Sequence, residues 1–481
     1  MLTVAQVIEG LTGHSIPQAE GPATVPIRQV VIDSRQATPG SMFVALRGER
    51  ADGHDYVTDA FERGASLALV QRMPAGECQV LDLTAGGPLA AASLRLPMCL
   101  KVADTLQALQ QLAAWWRARF FEVRVIGITG SVGKSTTKEL TWSVLRRRFN
   151  TLKSPGNLNN EIGLPLTLLA LEPSHQRVVL EMGMYNLGEI SQLCAIARPQ
   201  VGVVTNVGPT HLERLGSIER IAQAKAELVQ ALPADGVAVL NYDDPMVRQM
   251  VQLAPCRVFS YGLTPEADLW ADAVVSAGLE GVRFTLHYGR EKLHAKIPLL
   301  GRHSVHTALR ATAVGLIEGL GWDDILSGLQ DESVQLRLVS VPGIRGSLLL
   351  DDTYNASPVS TIAALNLLAD LRVSGRKIAV LGDMAELGDY EEEGHRKVGC
   401  RAADVVALLI TVGRRARLIA QEARACGLAA DCISQVDSNA EAVAHLRQLL
   451  QPGDVVLVKG SRSMAMEEIV ADLQVAPGAE Q

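Results

Sequence analysis

The chain carries a short glycine-rich segment whose residue types are suited to binding phosphate. Residues 129–135 read Thr-Gly-Ser-Val-Gly-Lys-Ser, follow the apolar run 123–128 and lead into a stretch with the apolar spacing of a helix. This order predicts a strand, a turn and a helix start, where backbone N–H groups and the helix dipole bind an anion. We expect Lys134 to reach the outer phosphates of a nucleotide and Ser135 or Thr136 to offer a hydroxyl to Mg²⁺.

The spacing of this segment is shorter than in the usual phosphate-binding loop. Gly130 lies three residues before Gly133, and Ile128 stands where the leading glycine normally is. A glycine-rich turn by itself is a weak signal, and a purely structural turn is the alternative. Because Gly-Lys-Ser stands between a strand pattern and a helix pattern, we favour phosphate binding.

Polar residues follow several apolar runs at the places where strands are expected to end. They are Glu181, Asn206, Asp351 with Asp352, and Asp383. Ligands of parallel sheets bind beyond the carboxyl ends of the strands, so these side chains are candidates for a site. Glu181 offers the hard oxygen that a nucleotide-bound Mg²⁺ needs, and a solvated strand-end carboxylate is the alternative.

Four further residues are ambiguous from their types alone. His211 follows a strand end near the same sheet edge, where it either binds a metal or serves only the structure. Lys225 stands on a helix pattern that starts after Ser217, and its pattern indicates a surface lysine. Asn159 and Asn160 lie in a segment rich in Asn, Gly and Pro, which is typical of a turn.

The elements that position these residues group into three predicted domains, because 481 residues exceed the size of one core. Near-continuous apolar runs that alternate with helix patterns predict parallel sheets covered on both faces. The runs are residues 178–180, 201–204 and 236–240 in the middle of the chain and 348–350, 378–381, 405–410 and 455–458 towards its end. A more polar, alternating stretch at 257–300 predicts an antiparallel edge. The predicted domains are 1–104, 105–332 and 333–481, with a hinge near 332–346.

The composition is that of a globular protein and excludes several functional classes. Hydrophobic residues make up 48% and charged residues 20%, and the net charge of −7 argues against a nucleic-acid partner. No apolar run reaches membrane-spanning length, and the N-terminal stretch lacks a basic region and carries Glu9, so we expect no secretion signal. The seven cysteines include no Cys-x-x-Cys pair, so we expect buried thiols in a reducing cytoplasm, without disulfides or zinc.

The loop at 129–135, Glu181, the His-Leu-Glu sequence at 211–213 and Lys225 together resemble the Mur amide ligases of peptidoglycan synthesis. The shortened loop is characteristic of that family. The resemblance implies that Glu181 and His211 bind Mg²⁺. It also implies that Lys225 is carbamylated, which turns a cation into an anion that helps to hold a second Mg²⁺. The resemblance therefore replaces the surface interpretation of this lysine.

Further motifs resemble the branch of this family that adds D-alanyl-D-alanine. They are Asp33-Ser-Arg35 with residues 39–48, residues 157–165, residues 351–358, residues 381–388 with His395, and residues 459–464. The resemblance spans all three predicted domains and implies an α/β fold. It implies a small α/β domain at 1–104 that binds the UDP-linked substrate, a central P-loop ATPase-type domain with a mostly parallel sheet, and a C-terminal Rossmann-like α/β domain.

The implied activity is that of an ATP-dependent ligase. It joins D-alanyl-D-alanine to UDP-N-acetylmuramoyl-tripeptide through an acyl phosphate, as a cytoplasmic monomer with two Mg²⁺ sites and without nucleic-acid or membrane partners. The implied catalytic residues are Lys134, His211 and Lys225, and the implied metal ligands are Ser135, Glu181, His211 and Lys225. The implied ATP site consists of Thr129, Gly130, Ser131, Val132, Gly133, Lys134, Ser135, Thr136, Asn160, His303, Arg337 and Asp352. The implied substrate site consists of Ser34, Arg35, Asn159, Tyr354, Asn355 and Asp383.

Two alternatives stay open at this point. A ligase like folylpolyglutamate synthase shares the loop and the central domain but lacks the uridine-binding block that residues 33–48 resemble. A diverged member of the family that binds nucleotide without ligating is the alternative from another functional class. Intact Lys134, Glu181, His211 and Lys225 argue against it.

One segment departs from the family pattern. The family shows Gly-x-His-Asn-x-x-Asn near the adenine, where residues 301–307 read Gly-Arg-His-Ser-Val-His-Thr. Because Ser304 and Thr307 replace two asparagines, the adenine contacts must be shorter or must be remade by water or by His306. The sequence does not determine whether the third residue of the tripeptide is meso-diaminopimelate or lysine.

Overall fold

The computed structural model describes residues 1–16, 20–48, 51–73, 78–84, 94–331 and 338–475. The chain forms two compact units. The first comprises Met1–Gly127, Phe149–Gly183 and Glu189–Gln200, and the second comprises Ile128–Arg148, Met184–Gly188 and Val201–Gln481.

The N-terminal part of the first unit contains an antiparallel pair, formed by its first two strands, and a five-stranded parallel sheet. Its elements are β1 (Leu2–Thr3), α1 (Val4–Thr12), β2 (Pro26–Ile27), β3 (Gln29–Val31), β4 (Ser41–Val44), α2 (Val57–Glu62), β5 (Leu67–Val70), β6 (Gln79–Asp82), β7 (Met98–Lys101) and α3 (Thr105–Ala118). The strands lie in the order β3-β4-β5-β7-β6, and all neighbours are parallel. Every residue of β4 and β5 is buried, as expected for a sheet covered on both faces.

The middle of the chain supplies elements to both units. They are β8 (Arg124–Thr129), α4 (Lys134–Leu145), β9 (Thr151–Lys153), α5 (Gly163–Leu169), β10 (Arg177–Glu181), α6 (Glu189–Ala197), β11 (Val201–Val204), α7 (Leu212–Leu215), α8 (Ile218–Gln230), β12 (Val237–Asn241), α9 (Pro245–Gln249), β13 (Arg257–Gly262), β14 (Leu269–Ser276), β15 (Val282–Tyr288), β16 (Glu291–Ile297), α10 (Ser304–Ile317) and α11 (Trp322–Leu329). In the first unit, β9 and β10 are parallel neighbours.

In the second unit, four parallel strands are followed by an antiparallel edge. Strands β11, β12, β13 and β14 are successive parallel neighbours. Strands β14, β15 and β16 are antiparallel neighbours. The last residues of β8 belong to this unit, where Thr205 N donates to Thr129 O at 2.9 Å. Helix α8 covers the parallel strands, because its buried residues Ala226 and Val229 belong to one apolar cluster with Leu240 of β12.

The second unit also contains a doubly wound sheet near the C-terminus. Its elements are β17 (Val339–Pro342), β18 (Leu348–Asp351), α12 (Pro358–Asp370), β19 (Lys377–Gly382), α13 (Glu391–Val405), β20 (Leu408–Val412), α14 (Arg417–Ala425), β21 (Ile433–Val436), α15 (Asn439–Leu449), β22 (Val455–Lys459) and α16 (Glu467–Leu473). The strand order is β17-β18-β22-β19-β20-β21, and only the β17 pairing is antiparallel.

Successive residues of the strands in this sheet serve two separate cores. Ala379 and Leu381 of β19 belong to one apolar cluster, which also contains residues of α12, α13 and α14. Ile378 and Val380 belong to another cluster, which contains residues of α15 and α16. This alternation is the expected consequence of a strand period of two with helices on both faces.

Most of the expected apolar strands are confirmed. The runs at 178–180, 201–204, 236–240, 348–350, 378–381 and 455–458 coincide with β10, β11, β12, β18, β19 and β22. The antiparallel edge within 257–300 is confirmed for β15 and β16, although β13 is parallel to β12. The run at 405–410 is wrong at its start, because Val405 ends α13 and the strand begins at Leu408. Part of the expected hinge is β17, and residues 332–337 lie outside the described residues.

One expectation about the cysteines is wrong. A disulfide joins Cys400 of α13 to Cys426, which directly follows α14, and both residues are exposed. Cys99 and Cys194 are buried thiols, as expected. The pairing depends on how α13 and α14 pack, so the spacing of 26 residues did not reveal it. In the part of the chain that is described, no helix is long and apolar enough to cross a membrane.

Candidate active site

The phosphate loop connects β8 to α4 and depends on two glycines with positive φ. Gly130 has φ +144°, and a Cβ there would lie 1.8 Å from Thr205 Oγ1. Gly133 has φ +85° and caps α4, and no side chain caps this helix end. The first N–H groups of a helix have no partner within the helix, so this end presents an anion-binding surface.

The loop is fixed to the residues that follow β11. Ser131 N donates to Asn206 O at 2.9 Å, and Val132 N donates to Asn206 Oδ1 at 2.9 Å. Asn206 Nδ2 donates back to Val132 O at 2.9 Å, and Thr205 Oγ1 donates to the same carbonyl at 2.7 Å. The sequence placed Asn206 at a strand end but did not reveal that it holds the loop, and Thr205 was missed.

The cationic and hydroxyl side chains of the loop stand at the start of α4. Lys134 Nζ donates to Gly130 O at 2.8 Å, so the ammonium group folds back over the loop. Ser135 is buried with 7% exposure, and Thr136 is half-buried. Binding of a nucleoside triphosphate requires an ammonium group close to the loop amides, and it requires hydroxyl groups in the first turn of the helix.

Lys225 lies on α8 and is buried with only 2% of its surface exposed. Burial lowers the pKa of its ammonium group well below the usual range, and the nearby charge of Lys134 lowers it further. Among the described residues, no side chain or backbone group forms a hydrogen bond or ion pair with the Lys225 ammonium group. Burial of a charge without a counter-ion favours the neutral amine. The surface interpretation of this residue from its helix pattern is therefore wrong.

His211 precedes α7 and contacts a carboxylate from the C-terminal sheet region. His211 Nδ1 lies 2.6 Å from Glu386 Oε2, and the contact lowers the pKa of the Glu386 carboxyl. Both residues have positive φ, +58° and +63°. The ring of Tyr185 packs edge-on against His211 at 5.2 Å between centroids. A carboxylate on Nδ1 orients the imidazole and directs Nε2 towards other ligands.

Three expected site residues lie in the first unit around the end of β10. Glu181 is the last residue of that strand and has 1% exposure. Asn159 Nδ2 donates to Glu181 Oε1 at 2.9 Å. Asn160 Oδ1 accepts from Gly163 N at 2.9 Å, so this side chain supports the start of α5. The asparagine segment is thus a turn whose amide side chains orient a buried carboxylate and a helix end.

Ser34 and Arg35 stand beyond β3 in the first unit. Ser34 has 5% exposure, and its hydrogen bond lowers the pKa of Asp59. The Arg35 side chain is 81% exposed and pairs with Asp33 at 2.7 Å. The exposed guanidinium is accessible to an anionic ligand, whereas Ser34 is tied into the fold.

The remaining expected residues lie at the ends of β18 and β19. Asp352 Oδ2 lies 2.6 Å from Lys459 Nζ, which also donates to Asn355 O at 2.8 Å. Tyr354 lies under the guanidinium of Arg462, with 5.9 Å from its Cζ to the ring centroid. Asp383 Oδ1 accepts from Ala416 N at 2.7 Å, just before α14. Arg337 lies outside the described residues.

The segment that departs from the family pattern forms the start of α10. Burial lowers the pKa of His303 to about 4. Ser304 Oγ donates to Leu300 O at 2.7 Å, and Thr307 is buried with 5% exposure. His306 Nε2 lies 2.7 Å from Asp243 Oδ2. The Ser304 hydroxyl is therefore bound within the chain, and the His306 ring is held by a carboxylate.

The chemistry of the donors fits Mg²⁺ only in part. In the ranges that the structure describes, no group of three or more His, Cys, Asp and Glu residues forms a metal site. Mg²⁺ commonly needs only one or two carboxylates together with water and substrate phosphates. The oxygens of Ser135 and Glu181 are suitable, whereas Lys225 offers a cation or an amine and becomes a suitable ligand only as a carbamate.

Family models match three successive parts of the chain. Residues 26–116 match the model described as Mur ligase family, catalytic domain. Residues 128–315 match the Mur ligase middle domain, and residues 337–462 match the Mur ligase, glutamate ligase domain. The matched residues include the phosphate loop, the buried Lys225 and the strands of the C-terminal sheet.

Relatives and solved structures are similar over nearly the whole length. The chain is 36% identical over 482 residues to UDP-N-acetylmuramoyl-tripeptide–D-alanyl-D-alanine ligase of Bacillus subtilis strain 168, with 98% of both chains covered. A crystal structure of MurF from Acinetobacter baumannii superposes with a TM-score of 0.83 at 31% identity and covers 98% of both chains. MurF from Thermotoga maritima in complex with ADP gives 0.76 at 28% identity, covering 93% of this chain and 97% of that one.

Proposed function

The chain belongs to the Mur ligase family, and we propose that it joins D-alanyl-D-alanine to UDP-N-acetylmuramoyl-tripeptide at the expense of ATP. The relatives that it matches from end to end carry the name of this reaction. The product is UDP-N-acetylmuramoyl-pentapeptide, a precursor of peptidoglycan. We place the reaction in the cytoplasm and assign it to a monomer.

The reaction requires activation of the tripeptide carboxylate. A carboxylate is a poor electrophile because its charge repels the amine. Transfer of the γ-phosphoryl group from ATP to a carboxylate oxygen gives an acyl phosphate and ADP. The amine of D-alanyl-D-alanine then attacks the carbonyl carbon, phosphate leaves, and the amine gives up a proton. The work of the protein is mainly positioning and neutralisation of charge.

The phosphate loop supplies the first part of this work. In our proposal the N–H groups at the start of α4 and the Lys134 ammonium bind the β- and γ-phosphates. Residues 129–136 enclose these phosphates, and His303 with Asn160 contributes to the rest of the nucleotide site. The hydrogen bond from Lys134 Nζ to Gly130 O holds the ammonium group at the loop, and in our proposal phosphate oxygens replace this carbonyl.

The buried lysine supplies the second part. The neutral amine that burial favours is the form that reacts with CO₂, and the resulting carbamate is an anion. Such an anion would offset the charge of Lys134. Ser135, Glu181, His211 and carbamylated Lys225 would hold Mg²⁺, which when bound supplies positive charge that stabilises the migrating phosphoryl group.

The C-terminal residues are assigned to ribose, phosphate and acceptor binding. We assign Asp352 to the ribose of ATP and Arg337 to its phosphates. Tyr354, Asn355 and Asp383 contribute to the D-alanyl-D-alanine site. Lys459 limits the freedom of two of these residues, because it binds the Asp352 carboxylate and the Asn355 carbonyl. In the first unit, Ser34, Arg35 and Asn159 are assigned to the UDP-linked substrate.

One observation carries the proposal. The phosphate loop leads into a helix start without a side-chain cap, and the charge of its Lys134 lowers the pKa of the buried Lys225. The test is phosphate release from ATP and Mg²⁺ with UDP-N-acetylmuramoyl-tripeptide and D-alanyl-D-alanine, omitting each in turn. Release that needs both substrates, with a pentapeptide product by mass, supports the proposal. Release with the tripeptide alone would indicate a different amine, and no release in any combination would favour a nucleotide-binding protein.

A further inference from the structure

A second buried cation, Arg310, lies beside the phosphate loop. It stands in the middle of α10 and has 4% exposure. Its Nε donates to His306 O at 2.9 Å, so the side chain runs along its own helix towards the N-terminus. Its Nη1 donates to Thr137 Oγ1 in the first turn of α4 at 2.7 Å. The guanidinium therefore connects the middle of α10 to the first turn of α4, which directly follows the loop.

The guanidinium also lies beside the last glycine of the loop. A Cβ on Gly133 would lie 3.1 Å from Arg310 Nη1 and 3.9 Å from its Cζ. Thr137 Oγ1, which accepts from Arg310, donates in turn to Gly133 O at 2.7 Å. Arg310 is thus linked to the last residue of the loop through the Thr137 hydroxyl. A side chain at 133 would have to displace this guanidinium by a few tenths of an ångström, in addition to the strain of the positive φ.

The charge of Arg310 is not compensated within the described residues. Its partners are the His306 carbonyl, the Thr137 hydroxyl and the neutral Tyr261 side chain, whose hydroxyl it approaches and whose ring centroid lies 5.8 Å from Cζ. No carboxylate of the described chain pairs with it. A buried arginine ordinarily has an acidic partner, because an isolated charge is costly to remove from water. An anion bound close to this guanidinium would therefore lower the cost of burying its charge.

We infer that Arg310 is a positioning residue for nucleotide binding, and that the phosphates of the bound nucleotide supply its missing counter-charge. The inference rests on the proposed function, since it needs a nucleotide at the loop. In the ligand-free protein the buried charge is a cost, and in the complex it attracts the phosphates through a medium of low polarity. Arg310 therefore raises affinity for the nucleotide while lowering the stability of the ligand-free chain.

The test compares Arg310→Met, which removes the charge, with Arg310→Lys, which keeps it. Melting temperature is measured without ligand and with ADP and Mg²⁺, and the Kd for ADP is measured by calorimetry. Arg117→Met is the matched control, because Arg117 is also buried, with 3% exposure, and also donates to carbonyls, at Ala197, Phe120 and Val123. The ADP-induced rise in melting temperature is compared for each folded variant.

We expect Arg310→Met to keep or raise the ligand-free melting temperature and to weaken ADP binding about tenfold, which corresponds to about 1.4 kcal/mol. Arg310→Lys should stay within about threefold of the unmodified chain. Arg117→Met should lower the ligand-free melting temperature and leave the Kd for ADP unchanged.

Two results would overturn the inference. One is a lower ligand-free melting temperature of Arg310→Met with an unchanged Kd, which would show a purely structural brace. The other is an equally weakened affinity for ADP in Arg310→Lys and Arg310→Met, which would show that the charge at position 310 does not contribute to nucleotide binding. An unmodified chain that fails to bind ADP would instead refute the proposed function, and with it this inference.

Discussion

Gly130→Ala is the sharpest test of the loop geometry. The added Cβ would lie 1.8 Å from Thr205 Oγ1, 2.9 Å from Thr205 Cβ and 3.1 Å from Thr205 N. Thr205 is fully buried, and its hydroxyl holds the Val132 carbonyl at 2.7 Å. The methyl group therefore has no space unless the loop or the end of β11 moves. Either movement breaks the contacts that fix the loop.

The magnitude follows from two effects. A side chain at φ +144° is strained by about 1–3 kcal/mol, and overpacking against Thr205 adds about 1–3 kcal/mol, so the free energy of unfolding should fall by roughly 2–6 kcal/mol. A loop displacement of about 1 Å is enough to reduce turnover on the order of 10²-fold. We expect the loss of turnover to exceed what the loss of stability explains.

The assay is phosphate release with both substrates, together with chemical denaturation of the same samples. Gly427→Ala is the control, because Gly427 has φ +106° and no atom lies within 4 Å of the position of its Cβ. The control experiences backbone strain without a clash. If Gly130→Ala retains turnover within about fivefold of the control, the loop is not held as the contacts with Thr205 require.

The remaining predictions concern three buried cationic or titratable side chains. Lys225→Ala should reduce the rate of phosphate release on the order of 10²-fold. A short-chain carboxylic acid with high bicarbonate should restore part of this rate, and near-normal turnover of the variant would remove Lys225 from the mechanism. His303→Gln should flatten the acid side of the stability curve. Burial holds the pKa of His303 at about 4 instead of 6.5, so between these pH values only the unfolded chain binds the proton. The free energy of unfolding of the unmodified chain therefore falls by roughly 3 kcal/mol as the pH drops through this range. It is measured by urea denaturation at each pH, and an equal fall in the variant would contradict the assignment. Lys459→Met should lower the free energy of unfolding by about 3 kcal/mol, because the Asp352 carboxylate loses its buried partner. The control Lys397→Met, at an exposed ion pair, should change the free energy of unfolding by less than about 0.5 kcal/mol. Similar values for the two variants would be inconsistent with a stabilising ion pair between Lys459 and Asp352.

The buried parallel strands could be predicted because their sequences are nearly continuous apolar runs. Two strands of the C-terminal sheet that were missed, β17 and β21, are edge strands with half-exposed or exposed residues and no such run. The boundary error at Val405 has a related cause. Val405 and Val406 suit a strand by residue type, but the chain continues α13 to Val405 before it turns into β20. Edge position and helix packing are tertiary properties that local composition does not encode.

The strand, turn and helix start of the phosphate loop could be predicted from local order, but the residues that hold the loop could not. Asn206 holds Val132 across 74 residues, and Arg310 holds Thr137 across 173 residues. The burial of Lys225 is likewise set by the elements that cover α8, and its helix pattern pointed to the surface. Residue types within one segment predict the groups that would meet a ligand. The residues that hold those groups in place come from distant segments and require the fold.

Because the loop is attached to Asn206, its backbone becomes ordered when the protein folds and not when a nucleotide binds. Fixing the backbone of one residue costs about 1–2 kcal/mol in conformational entropy, so the four residues 130–133 represent roughly 4–8 kcal/mol. The hydrogen bonds to Asn206 and Thr205 are present in the chain without a ligand, so this cost is met once, when the protein folds. Each arriving nucleotide encounters a loop whose shape already exists, and its contact energy is available for holding the phosphates.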